Sequence, residues 1–293
     1  MRFYTIEKNE AYFPVVSFDG GETAYALDDL GMDCVDLAQF IREGGIDKLE
    51  ILKNAPREAA ETIDLSAVKI CAPIMYPDQD VLCLGINYDE HAKEAGKFSK
   101  EAFGGERPYT IYFAKRVNRA TATGEPIPAY EDLVEGLDYE VELGVVLGRA
   151  AKGVAEEEAT GYIFGYTIIN DISARNLQTR HKQWYLGKSL DGFTPMGPCI
   201  VTIDELGDAE NLAISCAVNG EMRQNSNTKY MIKKVAGAIS EFSTGITLKA
   251  GTIIATGTPS GVGMGFTPPR FLKKGDVVTC SIEGIGELTN SVE

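Results

Sequence analysis

Two glutamates and an aspartate carry the strongest chemical signal in this chain. In LDYEVELGVVLG, Glu140 and Glu142 stand two residues apart within a strand-like apolar segment that ends at Gly144. The strand period of two predicts both carboxylates on one face, with Val141 and Leu143 on the other. Two carboxylates sharing a face of a mostly apolar strand repel each other and resist desolvation unless a positive charge lies between them. A divalent cation supplies that charge; an alternating strand whose glutamate face meets water is the plainer reading of the pair alone. Asp171 ends the apolar run YIFGYTIIN, where a strand terminus delivers it into a pocket. Three carboxylates plus water suit a hard cation such as Mg2+, with Mn2+ or Ca2+ as substitutes. Zinc fits less well, because the chain has two histidines and no Cys-x-x-Cys pair.

His91 lies in GINYDEHAKEAG, directly after the strand-like VLCLGI. Glu94 follows three residues later, so a helical turn places both side chains on one face. A carboxylate orients imidazole and stabilises its protonated form, which makes the pair a candidate acid/base unit; an exposed surface pair has the same spacing. Asn87 and Tyr88 beside Gly85 form a loop suited to lining a cleft. Lys115, Arg175 and Lys188 each follow strand-like or loop residues and are cation donors for an enolate or carboxylate, or else solvated termini. In TIIATGTPSGVGMG, Thr258 sits in a Gly- and Pro-rich loop with small hydroxyls and available backbone N–H groups, without the Gly-Lys-Ser/Thr ending of a nucleotide P-loop.

The elements that must hold these residues are mostly strands. VLCLGIN, YTIYFAK, VELGVVLG, YIFGYTIIN, NLAISCAVNG, GTIIATG and DVVTCSIEGIG mix β-branched residues with Gly or polar terminators. YMIKKVAGAISEFST is the clearest amphipathic helix, and EEEATGYIF opens with a second helical candidate. Residues 1–68 read as a small α/β unit, in which LAQFIREGGIDKLEILKNA makes two helical pieces broken at Gly44-Gly45. Residues 69–293 form the larger part, entered through the Pro73 and Pro77 junction. The fold class is mixed α/β and β-rich.

A formal net charge of −15 with no basic block argues against nucleic acid as a partner. The polar start and the lack of a long apolar run predict no signal peptide and no membrane span. Six scattered cysteines read as reduced core residues of a cytoplasmic protein.

Five motifs in order, GINYDEHAKE, DYEVELGVVLG, NDISARNLQ, LGKSLDGFTPMGP and ATGTPSGVG, make residues 69–293 resemble the fumarylacetoacetate hydrolase family. The resemblance implies a β-sandwich or roll, a homodimer, and a small N-terminal domain of the kind that many bacterial members carry. It implies Mg2+ or Mn2+ bound by Glu140, Glu142 and Asp171, with His91 and Glu94 as a catalytic dyad on a segment that closes over substrate. Lys188 is implied at the oxyanion, Thr258 near the substrate carboxylate, Arg175 and Gln178 along the pocket, and Tyr88 against the substrate. Arg116 departs from the Lys-Pro pair that many members have after the position of Lys115. The substrate implied is a small anionic 2-oxo or 2-hydroxy-enoic acid. The reaction expected is hydrolysis of a C–C bond in an acylpyruvate-type 2,4-dioxo acid. The alternatives are a 2-hydroxyhepta-2,4-diene-1,7-dioate isomerase, an oxaloacetate-type decarboxylase, and a noncatalytic 2-oxo-acid-binding protein.

Overall fold

The first strands of the chain already belong to its largest sheet, because a strand buried on both faces can only sit inside one. The computed structural model describes residues 1–103, 108–207 and 209–293. β1 (Arg2–Lys8), β2 (Ala11–Ser17) and β3 (Thr23–Ala26) form an antiparallel meander. Helices α1 (Leu37–Arg42) and α2 (Gly45–Asn54) follow, separated where the sequence predicts. The Asp36 side chain accepts from the Gln39 N–H and so starts α1. β4 (Ile63–Asp64) and β5 (Lys69–Cys71) then return to β3 and β1.

The remainder of the described chain supplies β6 (Val81–Gly85), α3 (Asp89–Phe98), α4 (Lys100–Phe103), β7 (Ile111–Lys115), β8 (Leu137–Asp138), β9 (Val141–Leu147) and β10 (Ile163–Asn170). Next come β11 (Ser173–Ala174), α5 (Arg175–Arg180), α6 (Tyr185–Lys188), β12 (Met196–Thr202) and α7 (Ile203–Leu206). The last elements are β13 (Ala213–Val218), β14 (Glu221–Asn227), α8 (Val235–Gly245), β15 (Ile253–Ala255), β16 (Val277–Ile282) and β17 (Gly286–Ser291). The large sheet runs β4-β3-β2-β1-β12-β10-β9-β15-β6-β7, with β5 also on β1; β14-β13-β16-β17 form a second sheet and β11-β8 a short ribbon. Arg2 pairs with Val201 and Phe3 with Ile200, so the sheet is continuous across position 68. The result is the strand-rich mixed α/β fold expected from the sequence.

β9 and β10 are buried at every position, which explains their near-continuous apolar sequences. Val141, Leu143, Val145 and Leu147 face the core shared with Ile214, Cys216, Val278 and Cys280 of the second sheet. This is the sandwich interface. Glu142, Gly144 and Val146 alternate onto the opposite face. All six cysteines are unpaired.

Several strands carry little apolar signal in sequence. Pro198 interrupts β12, while β14 (EMRQNSN) and β17 (GELTNS) are polar. Their order comes from backbone pairing with neighbours. EEEATGYIF opens with a 3-10 turn, Glu156–Tyr162, and the amphipathic run becomes helical only from Val235. No helix among the described residues is long and apolar enough to cross a membrane.

An aromatic cluster ties the first strand to the centre of the large sheet. The Phe3 ring lies 5.5 Å from Phe40 of α1 and 5.1 Å from Phe164 of β10, and Phe3 is fully buried. Phe3→Ala is expected to destabilise the protein by about 3–5 kcal/mol, the usual effect of deleting a buried aromatic side chain. Urea unfolding measures it; a loss below about 1 kcal/mol would show that the cluster relaxes around the cavity.

Candidate active site

Every Asp, Glu, Lys and Arg that is buried among the described residues lies in one place. The acids are Asp138, Glu140, Glu142 and Asp171; the bases are Lys115, Arg175 and Lys188. The antiparallel pairing of β9 with β10 brings Glu140, Glu142 and Asp171 together. Val141 is opposite Asn170 and Glu142 opposite Ile169, and the Asp171 N–H donates to the Glu140 carbonyl at 2.8 Å. One carboxylate oxygen from each of Glu140, Glu142 and Asp171 lies within 4.8 Å of the others. The shared face predicted for the two glutamates is therefore observed, and it is buried rather than solvated.

The three bases distribute unevenly over the acids. Lys188 Nζ lies 2.7 Å from Glu140 Oε2 and 2.6 Å from Asp171 Oδ2. Lys115 Nζ lies 2.5 Å from Asp171 Oδ1 and donates to the Phe193 carbonyl at 2.7 Å. Arg175 bridges Asp138 at 2.8 Å and Glu140 at 2.7 Å. Burial opposes ionisation of Glu140, but Lys188 and Arg175 outweigh it and hold its carboxyl below the usual carboxylate range. Glu142 differs. Burial, reinforced by Asp171 and Glu140, pushes its carboxyl well above that range. Its neutral partner is the Gly257 N–H, which donates to Oε2 at 2.8 Å. No cation among the described residues ion-pairs with it. Gly257 adopts φ +90°, where a side chain would also strike Asn87 and the Leu84 carbonyl, so glycine is required to aim that N–H.

This donor set fits a hard divalent cation. Three convergent carboxylates offer the oxygen ligands that such an ion prefers, and the ion's charge reaches the one carboxylate that no described base neutralises. Four buried acids against three buried bases also leave the local balance short of positive charge.

Helix α3 sets the His91–Glu94 pair. Asp89 and Glu90 in its first turn suit the positive helix end. One turn brings His91 Nδ1 to 3.1 Å from Glu94 Oε2, and His91 is buried. The other Glu94 oxygen accepts from the Gly261 N–H at 3.0 Å. A Cβ at Gly265 would lie 1.9 Å from Glu94 Oε1, so this carboxylate reaches its position only because residue 265 is glycine. With Nδ1 engaged by Glu94, Nε2 is the ring nitrogen left for the cavity.

His91, Glu140, Glu142, Arg175, Gln178, Lys188 and Thr258 line one cavity of about 20 Å3, closed by Phe103, Phe113, Trp184 and Met264. Arg175 Nη1 donates to Gln178 Oε1 at 2.9 Å, which orients both. Asp171 and Glu94 stand behind this lining and act on it through Lys188 and His91. Tyr88 is buried, and it lines a neighbouring cleft of about 470 Å3 with Asp89, Lys93 and Tyr230 instead. The Thr258 hydroxyl donates to the Val141 carbonyl at 2.9 Å and accepts from Gln224 at 2.7 Å. Arg116 points away and pairs with Asp80 at 2.8 Å.

Sequence reasoning missed three buried residues here. Asp138 continues the period of two one step before Glu140, so the alternation could have found it. It accepts from Gly263 and Met264 N–H groups and from Arg175, and thereby joins the cavity floor to its wall. Asn170 and Gln224 carry no such pattern; their amide oxygens take the N–H groups of Glu140 and Val141.

Glu142→Gln keeps the shape of the site and removes its least neutralised charge. The metal-free variant is expected to unfold at the same temperature as the wild type or higher, because like-charge repulsion is relieved. Saturating Mn2+ at about a hundred times its dissociation constant should stabilise the wild type by roughly 2.7 kcal/mol and the variant much less. Thermal unfolding with and without Mn2+ decides it: equal stabilisation of the two proteins would remove Glu142 from the ligand set.

The chain is similar to known proteins over both parts of its length. Residues 80–293 match the family model described as fumarylacetoacetate (FAA) hydrolase C-terminal. Over 228 residues, 78% of this chain and 74% of the relative, it is 46% identical to oxaloacetate tautomerase YisK of Bacillus subtilis. Over 302 aligned positions, 100% of this chain and 90% of the relative, it is 39% identical to the mitochondrial oxaloacetate tautomerase fahd2 of Xenopus laevis. Maleylpyruvate hydrolase of Sphingobium sp. SYK-6, solved with manganese(II) and pyruvate, superposes with a TM-score of 0.77 at 25% identity, covering 100% of this chain and 98% of that one. The model match over the whole cavity-bearing region, joined to these identities, places the chain in the fumarylacetoacetate hydrolase family.

Proposed function

We propose that this protein is a divalent-metal-dependent isomerase of small 2-oxo acids, interconverting the keto and enol forms of an oxaloacetate-type acid. The observation that carries the reading is the cavity itself: His91, Glu140 and Glu142, backed by Glu94 and Asp171, face about 20 Å3 of space behind aromatic walls. That is room for about one water molecule. Admitting a four-carbon acid requires part of this lining to give way, and any second reactant enlarges the demand. Keto–enol exchange has no second reactant. It moves one proton from the carbon between the two carbonyl groups to the 2-oxo oxygen, and every atom is retained. Two relatives named as oxaloacetate tautomerases support the same reading.

Glu140, Glu142 and Asp171 would hold Mg2+ or Mn2+, which when bound acts as a Lewis acid toward charge developing on the 2-oxo group. His91 takes the carbon-bound proton at Nε2 and delivers it to the 2-oxo oxygen, steadied through Nδ1 by Glu94. Lys188 and Arg175 keep the surrounding carboxylates compensated as negative charge shifts toward the oxygen. The aromatic wall excludes water, which strengthens these interactions and protects the enol from side reactions.

The C–C hydrolase expected from the motifs becomes the second reading. His91 with Glu94 is also suited to activating water, and the manganese- and pyruvate-bound maleylpyruvate hydrolase keeps it in view. The two readings separate on product. With Mn2+ and oxaloacetate, the enzyme is expected to accelerate enol–keto exchange, followed by ultraviolet absorbance and by deuterium uptake at the exchanging carbon, without forming pyruvate. Faster release of pyruvate from acylpyruvates than enol exchange on oxaloacetate would overturn the proposal in favour of hydrolysis.

His91→Ala should slow enol exchange by about 10²–10⁴-fold while Mn2+ affinity changes by less than about twofold, since the ring moves a proton and is outside the carboxylate set. Stopped-flow absorbance and a Mn2+ titration test the two halves. Undiminished exchange would assign the proton to another group.

A further inference from the structure

Gln224 is fully buried in a strand whose other residues are exposed or only partly buried. Its strand, β14, belongs to the second sheet, yet its side chain works on the first. Oε1 accepts from the Val141 N–H at 3.1 Å, and Nε2 donates to Thr258 Oγ1 at 2.7 Å and to the Pro259 carbonyl at 2.8 Å. The Thr258 hydroxyl in turn donates to the Val141 carbonyl at 2.9 Å. Between them, one carboxamide and one hydroxyl take both backbone polar groups of the residue that separates Glu140 from Glu142.

The topology explains why a side chain is needed there. β15 pairs with β9 at Ile253–Val146, Ile254–Val145 and Ala255–Gly144, and Thr256 extends the contact to the Leu143 carbonyl. Beyond that point the chain turns away into the loop that carries Gly257 and Thr258, so strand pairing on that edge stops before Val141. A buried backbone N–H without an acceptor is destabilising, and a backbone edge without a partner is free to shift. Gln224 reaches across the sandwich to close that edge. It also fixes the hydroxyl of Thr258: the proton is directed to Val141 and a lone pair is occupied by the amide.

We propose that Gln224 is a positioning residue of the metal centre, holding Glu140 and Glu142 at ligand spacing by bonding Val141 and the Thr258 loop at once. This rests on the metal-dependent reading above. A core-packing glutamine would predict something different, a loss of stability with the carboxylates undisturbed, and the difference is measurable without turnover.

The test is Mn2+ affinity, read from the paramagnetic resonance of free Mn2+, on Gln224→Met, which keeps length and volume but none of the three bonds. Cys216→Ala is the control: Cys216 is directly opposite Gln224 on β13, equally buried, and bonds nothing in the site. Gln224→Met is expected to bind Mn2+ roughly 10- to 100-fold more weakly, the effect of losing a group that orients metal ligands, while Cys216→Ala lowers the unfolding temperature without weakening Mn2+. Thr258→Val removes the other half of the brace and should reproduce the loss; the double variant should be no weaker than the worse single one, because the two groups act as one unit. If Gln224→Met does not fold, Thr258→Val alone carries the test. A folded variant with Mn2+ affinity within about twofold of the wild type overturns the proposal, as does an equal loss in Cys216→Ala. Failure of the wild type to bind Mn2+ at all would instead overturn the metal-dependent reading.

Discussion

The structure depends on a set of charges that water cannot reach. Taking an ion out of water is unfavourable by several kcal/mol even after relaxation, so a fold that buries Asp138, Glu140, Glu142, Asp171, Lys115, Arg175 and Lys188 together must pair them closely. It does so for all but one. Lys188 lies between Glu140 and Asp171, Lys115 caps Asp171 from behind, and Arg175 bridges Glu140 and Asp138. Glu142 has a backbone N–H and two repelling neighbours. The imbalance gives the site its preference for a cation with two charges, and it is built in by geometry.

Rigid elements hold that imbalance in place. β9 and β10 are enclosed on both faces, one by the second sheet and the other by the aromatic and aliphatic core that includes Phe3, Phe40 and Phe164. Side chains alternating on β9 therefore point either into the sandwich interior or to the opposite face, where Val146 joins the aromatic core and Glu142 meets the charged cavity. The loop after β15 and the polar strand β14 then complete the edge that β9 leaves open. Sites built on strands and braced by buried amides hold their ligands more precisely than sites on loops.

The His91–Glu94 pair belongs to a different kind of element. α3 has few buried positions, His91 and Ala95, and it is held down through Glu94 to Gly261 and by contacts of Ala95 and Phe103 with Met264 and Val262. A helix anchored by so few apolar residues opens more readily than the sheets beneath it. The two parts of the site therefore differ in support: Glu140, Glu142 and Asp171 stand on or beside the strands of the sandwich, and His91 stands on a helix with few buried positions.

Much of this was legible in the sequence. The spacing of Glu140 and Glu142 and the strand end at Asp171 pointed to one cluster because a strand has a period of two, and His91 with Glu94 pointed to a helical pair because a turn has nearly four residues. The apolar runs of β9 and β10 located the buried strands. The polar strands β14 and β17 and the Pro-interrupted β12 were invisible, since backbone pairing leaves no trace in hydrophobicity. Gln224 was invisible for the same reason: in EMRQNSN nothing distinguishes the one amide that crosses the sandwich from its solvated neighbours. The sequence by itself determined which residue types would gather and which local faces they share. Only the tertiary structure decided that the gathering is buried, that its acids outnumber its bases, and that its cavity leaves room for about one water molecule, because those depend on how distant strands and loops close around it.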